Sequence, residues 1–329
     1  MSGTVSPMIA LRQPSWMVQE STNAVRLIHG IADGLPGFYL DRFGPCLLAT
    51  AQNRPSSAER AITQQWMDRL GCKGVYLKQW NRAVRQTHPD DASPKPWLGT
   101  NLPAMVPFQE HGVHYEARFE EGYSVGLFLD QRLNRRLWRG LPVQGLDSPA
   151  LPSKASGECL NTFAYTCGFS VCAALGGMQT CSLDLSRKYL DWGRKHFEMN
   201  QIPLAGHDFI YGDVFDWLGR FHKRGRRFAG VILDPPTFSK AAKSRRSFRA
   251  MADYPLLLKA ALDCLESGGH LLACNNTAGW STASFLRMIH QTLQEVRGSA
   301  YQLCSLGQPA DFPSHPHSPA HLKSVWIRV

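Results

Sequence analysis

Asp234 stands between an unbroken apolar run, Val231, Ile232 and Leu233, and the turn-forming Pro235, Pro236, Thr237 and Phe238, in the stretch FAGVILDPPTFSK. β-branched and apolar residues without polar alternation predict a strand covered on both faces. The two prolines fix φ and donate no N–H, so the chain must leave the sheet directly after the acid. A carboxylate is thereby left at the C-terminal end of a strand, where open parallel sheets bind their ligands. Taken alone, the stretch fits equally a rigid loop whose Asp caps the next helix.

Three earlier strand ends bear on that choice. LNTFAYTCGFS runs through a turn containing Gly168 into a helix, which lets backbone approach a ligand closely at a helix N-terminus. It lacks the G-x-G-x-x-G of a phosphate-cradling loop. SLDLS ends one strand later at Asp184, placed to accept from both hydroxyls of a ribose, or else Asp184 or Ser186 caps the following helix. The next strand ends at Gly212 and Asp213, where an acid can accept from an exocyclic adenine amine. A ribose acid and an adenine acid without a pyrophosphate loop suit a nucleoside rather than a dinucleotide, and S-adenosylmethionine meets that description.

The elements that must position these residues follow a repeating order. From CLNTFAY to STASFLRMIHQTLQEV, strand and helix patterns alternate five times, which predicts a doubly wound, largely parallel sheet. Ahead of it, residues 25–118 read as hairpins, a helix over SSAERAITQQWMDRLG and a further strand, GVYLKQW; together they make a small α+β domain. In that helix Ser56 or Ser57 is the N-cap, Ile62, Trp66 and Leu70 share a face, and Gly71 stops the helix. Residues 87–103, with four prolines, are expected to be an exposed loop, and VPFQEHGVHYEARF a hairpin turning at His111 and Gly112. Residues 1–24 are expected to pack loosely, and residues 119–329 to form the larger domain.

Composition narrows the classes further. With 43% hydrophobic and 19% charged residues the 329-residue chain is an ordinary globular protein rather than a disordered one. No apolar run is long enough for a membrane span and no cleavable leader is apparent, so a cytosolic protein without a membrane partner is expected. Nine cysteines without a C-x-x-C pair argue for reduced, buried thiols, and His315, His317 and His321, interleaved with prolines, are not expected to bind metal. The net charge of +10 suits a polyanionic partner. Its basic residues gather at Arg132, Arg135, Arg136 and Arg139, at His222–Arg227, and at Lys240, Lys243, Arg245, Arg246 and Arg249, the last group directly after the Asp234 loop. Basic residues flanking a catalytic strand end favour nucleic acid.

GLFLDQRLNRR, LNTFAYTCGFSV, SLDLSRKYLDWGRKHFEMN, GDVFDWL and ILDPPTFSK, in this order, resemble the motifs of the S-adenosylmethionine-dependent 23S rRNA methyltransferases, relatives of the cytosine-C5 and guanine-N7 enzymes. The likeness extends from DGLPGFYLDRFG to DFPSHPHSPAHLKSVWIRV, roughly residues 25–329. It implies a Rossmann-like class I methyltransferase domain with a seven-stranded, mostly parallel sheet, S-adenosylmethionine as cofactor, and large-subunit rRNA or its precursor as partner. Carried over residue by residue, it implies cofactor contacts at Gln131, Arg132, Asn161, Phe163, Tyr165, Gly168, Asp184, Asp213 and Val214. Asp234, Pro235, Phe238 and Asn276 would face the reacting base, and Arg135, Arg136, Lys240, Lys243, Arg245 and Arg246 would face the RNA. Asn200 matches a family helix end and is expected to be structural. The family reads Y-T-G where this chain has Tyr165, Thr166 and Cys167; Gly168 is expected to supply the conformational freedom instead. The extra N-terminal RNA-binding modules of those relatives find no room in residues 1–24, so RNA recognition is expected to rest on the small domain and the basic clusters.

Cytosine C5 is a poor nucleophile, and enzymes that methylate it first add a thiolate to C6. The family's cytosine-C5 members carry that cysteine in an S-C-S segment, whereas the matching stretch here is LLACNNTAGW, with Cys274 in an apolar strand pattern and Asn275 and Asn276 after it. It resembles the N-N-x-x-G-F of the guanine-N7 relatives. A guanine ring nitrogen is therefore favoured over cytosine C5. A protein or small-molecule methyltransferase would leave the basic clusters without a purpose, and a non-catalytic RNA assembly factor would need a degenerate cofactor pocket.

Overall fold

Residues 21–79, 93–100, 102–122, 124–142, 157–240 and 247–329 are described by the computed structural model. The chain forms two units, Met1–Asp130 with Pro309–Ala320, and Gln131–Gln308 with His321–Val329.

In the first unit, β1 (Ala24–His29), β2 (Phe38–Phe43), β3 (Cys46–Ala51), β4 (Gly74–Gln79) and β5 (Lys95–Gly99) form one sheet in that order. Helix α1 (Ser57–Leu70) packs Ile62 and Trp66 against Val25, Leu27, Leu40, Leu47 and Val75. Ser56 caps it reciprocally with Glu59, and Gly71, left-handed at φ 59°, ends it. The expected loop over 87–103 contains β5. Pro96 is tolerated there because β5 is an edge strand, paired only with β4. A hairpin of β6 (Met105–Glu110) and β7 (Val113–Arg118) turns at His111 and Gly112, both with positive φ. Pro309–Ala320 returns to this unit: Asp311 Oδ2 accepts from the Arg26 amide at 2.9 Å, and the Phe312 ring lies 4.4 Å from the Arg26 guanidinium. The unit therefore runs past residue 118 to Asp130 and takes back a segment that the sequence reading gave to the larger domain.

The second unit comprises α2 (Arg132–Trp138), β8 (Glu158–Thr162), α3 (Gly168–Leu175), β9 (Gln179–Asp184), α4 (Arg187–Met199), β10 (Asp208–Tyr211), α5 (Val214–Lys223) and β11 (Phe228–Leu233). A short hairpin, β12 (Phe238–Lys240) and β13 (Ser247–Arg249), leads to α6 (Ala250–Leu262), β14 (Leu265–Asn275), α7 (Thr282–Arg297), β15 (Gln302–Leu306) and β16 (Lys323–Arg328). The seven-stranded sheet has the order β10-β9-β8-β11-β14-β16-β15, and only β16 runs against its neighbours. Strand order reverses between β8 and β11, so the crevice outside their C-terminal ends is the topological switch point of the sheet. As the unbroken apolar run predicted, Val231, Ile232 and Leu233 are fully buried, Val231 and Leu233 in one core cluster and Ile232 in the cluster on the opposite face. Helix α6 begins at Ala250, where the Asp253 carboxylate accepts from the Arg249 amide at 2.8 Å, and it accommodates Pro255 in its interior.

Candidate active site

The turn leaving β8 puts three non-glycine residues into the left-handed region, Phe163 (φ 54°), Tyr165 (φ 49°) and Cys167 (φ 60°). Each such residue costs about 1–2 kcal/mol, so the turn persists only because its surroundings hold it. Asp184, at the end of β9, is one of the holders: its Oδ2 accepts from the Tyr165 amide and its Oδ1 from the Ser186 amide, both at 2.8 Å. Ser186, not Asp184, is the N-cap of α4, accepting from the Tyr189 amide at 3.3 Å. The expectation that Gly168 supplies the turn's freedom is corrected, since Gly168 is the first residue of α3 and the left-handed position is Cys167 itself. Room for the Cys167 side chain comes from α4: a Cβ on Gly193 would lie 2.3 Å from Cys167 Sγ.

Burial raises the Asp184 carboxyl above the ordinary aspartate range, and the amides of Tyr165, Ser186 and Leu185 partly offset this. A carboxylate offers about four acceptor sites, so these backbone bonds still leave capacity for a ligand hydroxyl. At the end of β10, Asp213 Oδ1 caps α5 by accepting from Phe215 (2.9 Å) and Asp216 (3.3 Å). Oδ2 takes no part in that cap. Val214 follows it, buried, as the first residue of α5. Phe163 packs against Phe248 with ring centroids 5.7 Å apart. Asn161 is turned inward: its Nδ2 donates to Ser170 Oγ at 2.9 Å, and Ser182 Oγ donates to the same Ser170 oxygen at 2.8 Å, which ties β8, β9 and α3 together.

Across the switch point, Asp234 Oδ2 accepts from Gln131 Nε2 at 2.9 Å. Gln131 Oε1 in turn accepts from Asn134 Nδ2 at 2.5 Å, and Asn134 also donates to Ser324 Oγ at 2.8 Å. A carboxylate only accepts, so it fixes the direction of both amides behind it. Gln131 and Asn134 are 3% and 1% exposed, which makes this a buried relay ending on one catalytic candidate. Cys274 lies behind Gln131, fully buried, with its sulfur 3.7 Å from Gln131 Oε1 and 3.6 Å from Ser324 Oγ. Asn276 is exposed at the end of β14, and its Oδ1 accepts from Thr237 Oγ1 at 3.3 Å, joining the loops that follow β14 and β11. Asn275 terminates the strand, its Oδ1 accepting from the Thr277 amide at 2.9 Å. Pro235 is buried, whereas Phe238 is 42% exposed beside it.

The basic residues divide. Arg132 is buried, and Arg135, expected to face RNA, is only 2% exposed with its guanidinium 6.0 Å from the Phe169 ring. Arg135 is thereby corrected from an RNA contact to a packed residue. Arg136 Nε donates to the Pro142 carbonyl at 2.8 Å. Lys240 ends β12, while Lys243, Arg245 and Arg246 lie outside the described residues. Asn134, Ser324 and Gly193 were missed from sequence. Only Asn134 carried a signal, being one helical turn from Gln131.

The site suits a nucleoside cofactor. Asp184 and Asp213, at the ends of β9 and β10, keep spare acceptor capacity on one side of the β8 turn, and no glycine-rich phosphate cradle is present among the described residues of that turn. Over 319 residues the chain is 29% identical to Ribosomal RNA large subunit methyltransferase I of Escherichia coli (strain SMS-3-5 / SECEC), covering 95% of this chain and 77% of the relative. Its fold is similar to that of SMU.776, a methyltransferase complexed with SAH, at TM-score 0.80 and 26% identity over 95% of this chain and 77% of that one. An S-adenosylmethionine-dependent methyltransferase from Agrobacterium tumefaciens shares the fold at TM-score 0.65 and 18% identity, covering 94% and 90% of the two chains. Residues 26–328 match the family described as S-adenosylmethionine-dependent methyltransferase, and the chain belongs to that family.

Proposed function

We propose that the protein methylates a base of large-subunit ribosomal RNA, at a guanine ring nitrogen. The RNA class follows the E. coli relatives and the basic charge of the chain. The observation that carries the choice of atom is the fully buried Cys274 sulfur behind Gln131, with Asp234 in front. S-adenosylmethionine supplies an activated methyl group. A ring nitrogen with a free lone pair, such as guanine N7, would take that methyl group and acquire the positive charge without losing a proton, the sulfur–methyl bonding pair staying with the neutral thioether. Asp234, oriented by Gln131, stabilises that charge. Phe238 stacks on the unpaired base and Asn276 donates to its edge. Asp184 receives the ribose hydroxyls and Asp213 the adenine amine, while Gln131, Arg132, Phe163, Tyr165, Gly168 and Val214 line the remainder of the cofactor site.

Mass-spectrometric mapping of rRNA from a deletion strain tests this: a single methylguanosine should disappear and return on complementation. Loss of a methylcytidine instead would overturn the choice of base. Cys274→Ala should keep methyl transfer within about threefold of wild type, since a lost nucleophile costs orders of magnitude.

Asp184 gives a pH signature. Cofactor hydroxyls need its ionised form, and its folded carboxyl titrates above an ordinary aspartate. Affinity for the cofactor, followed by calorimetry, should therefore fall with decreasing pH through that raised value, and Asp184→Asn should remove the step. The stability sign is opposite: a raised folded value means the cofactor-free protein loses stability as pH rises from the unfolded value to the folded one.

A further inference from the structure

Two arginines bracket two aromatic rings along the β10 edge of the second unit's sheet. The Arg187 guanidinium lies 4.5 Å from the centroid of the Tyr211 ring, and Tyr211 is 46% exposed. Gly212 follows, and the Trp217 ring covers it so closely that a Cβ on Gly212 would be 2.3 Å from Trp217 Nε1. Arg220 completes the row, 4.8 Å from the centroid of the Trp217 ring. The sequence thus runs Arg187, Tyr211, Gly212, Trp217, Arg220 through direct contacts. Neither Arg187 nor Arg220 joins an ion pair among the described residues, in contrast to Arg194 nearby, which stacks on Phe209 and pairs with Asp191. Both lie on exposed helical turns, Arg187 opening α4 and Arg220 in α5.

We propose that this ridge binds an unpaired stretch of the RNA substrate, next to Asp184 and Asp213 and apart from the Asp234 lip. Stacking on a ring leaves the N–H groups of each planar guanidinium for phosphate, while the exposed Tyr211 ring offers a base a π-surface without regard to sequence. A duplex would not use the ridge, because its bases are stacked on each other. The site needs no pairing to a defined nucleotide, so it contributes affinity and strand direction, with the target chosen at the lip. This inference rests on the reading of RNA as substrate.

Binding of the full chain to a fluorescent single-stranded rRNA fragment, titrated across salt concentrations, tests it. The Arg187→Gln/Arg220→Gln variant should lose about 1.4 from the slope of log K against log salt, 0.7 per phosphate contact. Tyr211→Ala should weaken binding about tenfold with its slope unchanged. S-adenosylhomocysteine affinity should stay at the wild-type value in both, which separates a lost ridge from a damaged fold. Wild-type binding with no change of slope or affinity in the variants would overturn the ridge alone. Absence of RNA binding by the wild type would overturn the underlying reading as well.

Discussion

Asp234→Ala is expected to slow methyl transfer to rRNA by about 10²–10³-fold, the usual cost of removing one preorganised electrostatic partner of a developing charge. Cofactor affinity should hold, because Asp184 and Asp213, on other strands, are the acids assigned to the nucleoside. Single-turnover kinetics with excess enzyme isolate the chemical step. Asp234→Asn keeps the shape and discards the charge, so its rate should stay close to that of the alanine variant. A rate near wild type for Asp234→Asn would sink the electrostatic role. Gln131→Leu keeps the charge but cuts the 2.9 Å bond that aims it, and its rate should fall between the wild type and the Asp234 variants.

Gly193→Ala should destabilise the protein, although alanine ordinarily improves a helix over glycine by about 1 kcal/mol. At this position in α4 the added Cβ meets Cys167 Sγ at 2.3 Å and Cys167 Cβ at 2.8 Å, and Cys167 is fully buried in a turn that cannot swing aside. Overpacking of this kind costs about 1–3 kcal/mol. Part of the strain should pass to Tyr165 and Asp184 and weaken cofactor binding, because the Tyr165 amide donates to Asp184. Cys167→Gly in the same chain removes both the collision and a left-handed side chain, so the double variant should recover most of the loss. Urea denaturation of the wild type, both single variants and the double variant measures the coupling. Additive losses would show that the two residues do not share one space.

The strand ends were legible in the sequence because they depend on local order: an unbroken β-branched run stopped by prolines fixes where Asp234 leaves the sheet, and Asp184 and Asp213 stand at or just after their strand ends in the same way. A doubly wound, largely parallel sheet was likewise readable from alternating periods, whereas its count of seven strands followed from the family resemblance. What escaped depends on distant neighbours. Ser324 meets Asn134 across 190 positions of sequence, and Gly193 matters only because Cys167 folds against it. Arg135 misled because charge suggests exposure, whereas a guanidinium can pack over a ring such as Phe169. Strand β5 was hidden by prolines that an edge strand tolerates. That Asp213 also caps α5 went unread, because a cap shows only once the following helix is in place.

Between β15 and β16 the chain leaves the sheet for the other unit, where Asp311 and Phe312 engage Arg26, and then comes back to insert β16 between β14 and β15. The backbone therefore crosses from unit to unit three times, and a single cleavage cannot yield two continuous fragments that each hold all their elements. If the first unit melts, Pro309–Ala320 becomes a slack tether, and pairing β15 with β16 must then bear its closure entropy. That entropy grows only as the logarithm of length, about 0.6 kcal/mol per doubling. Unfolding of one unit should accordingly lower the midpoint of the other by a small, length-dependent amount, a thermodynamic linkage carried by the covalent path.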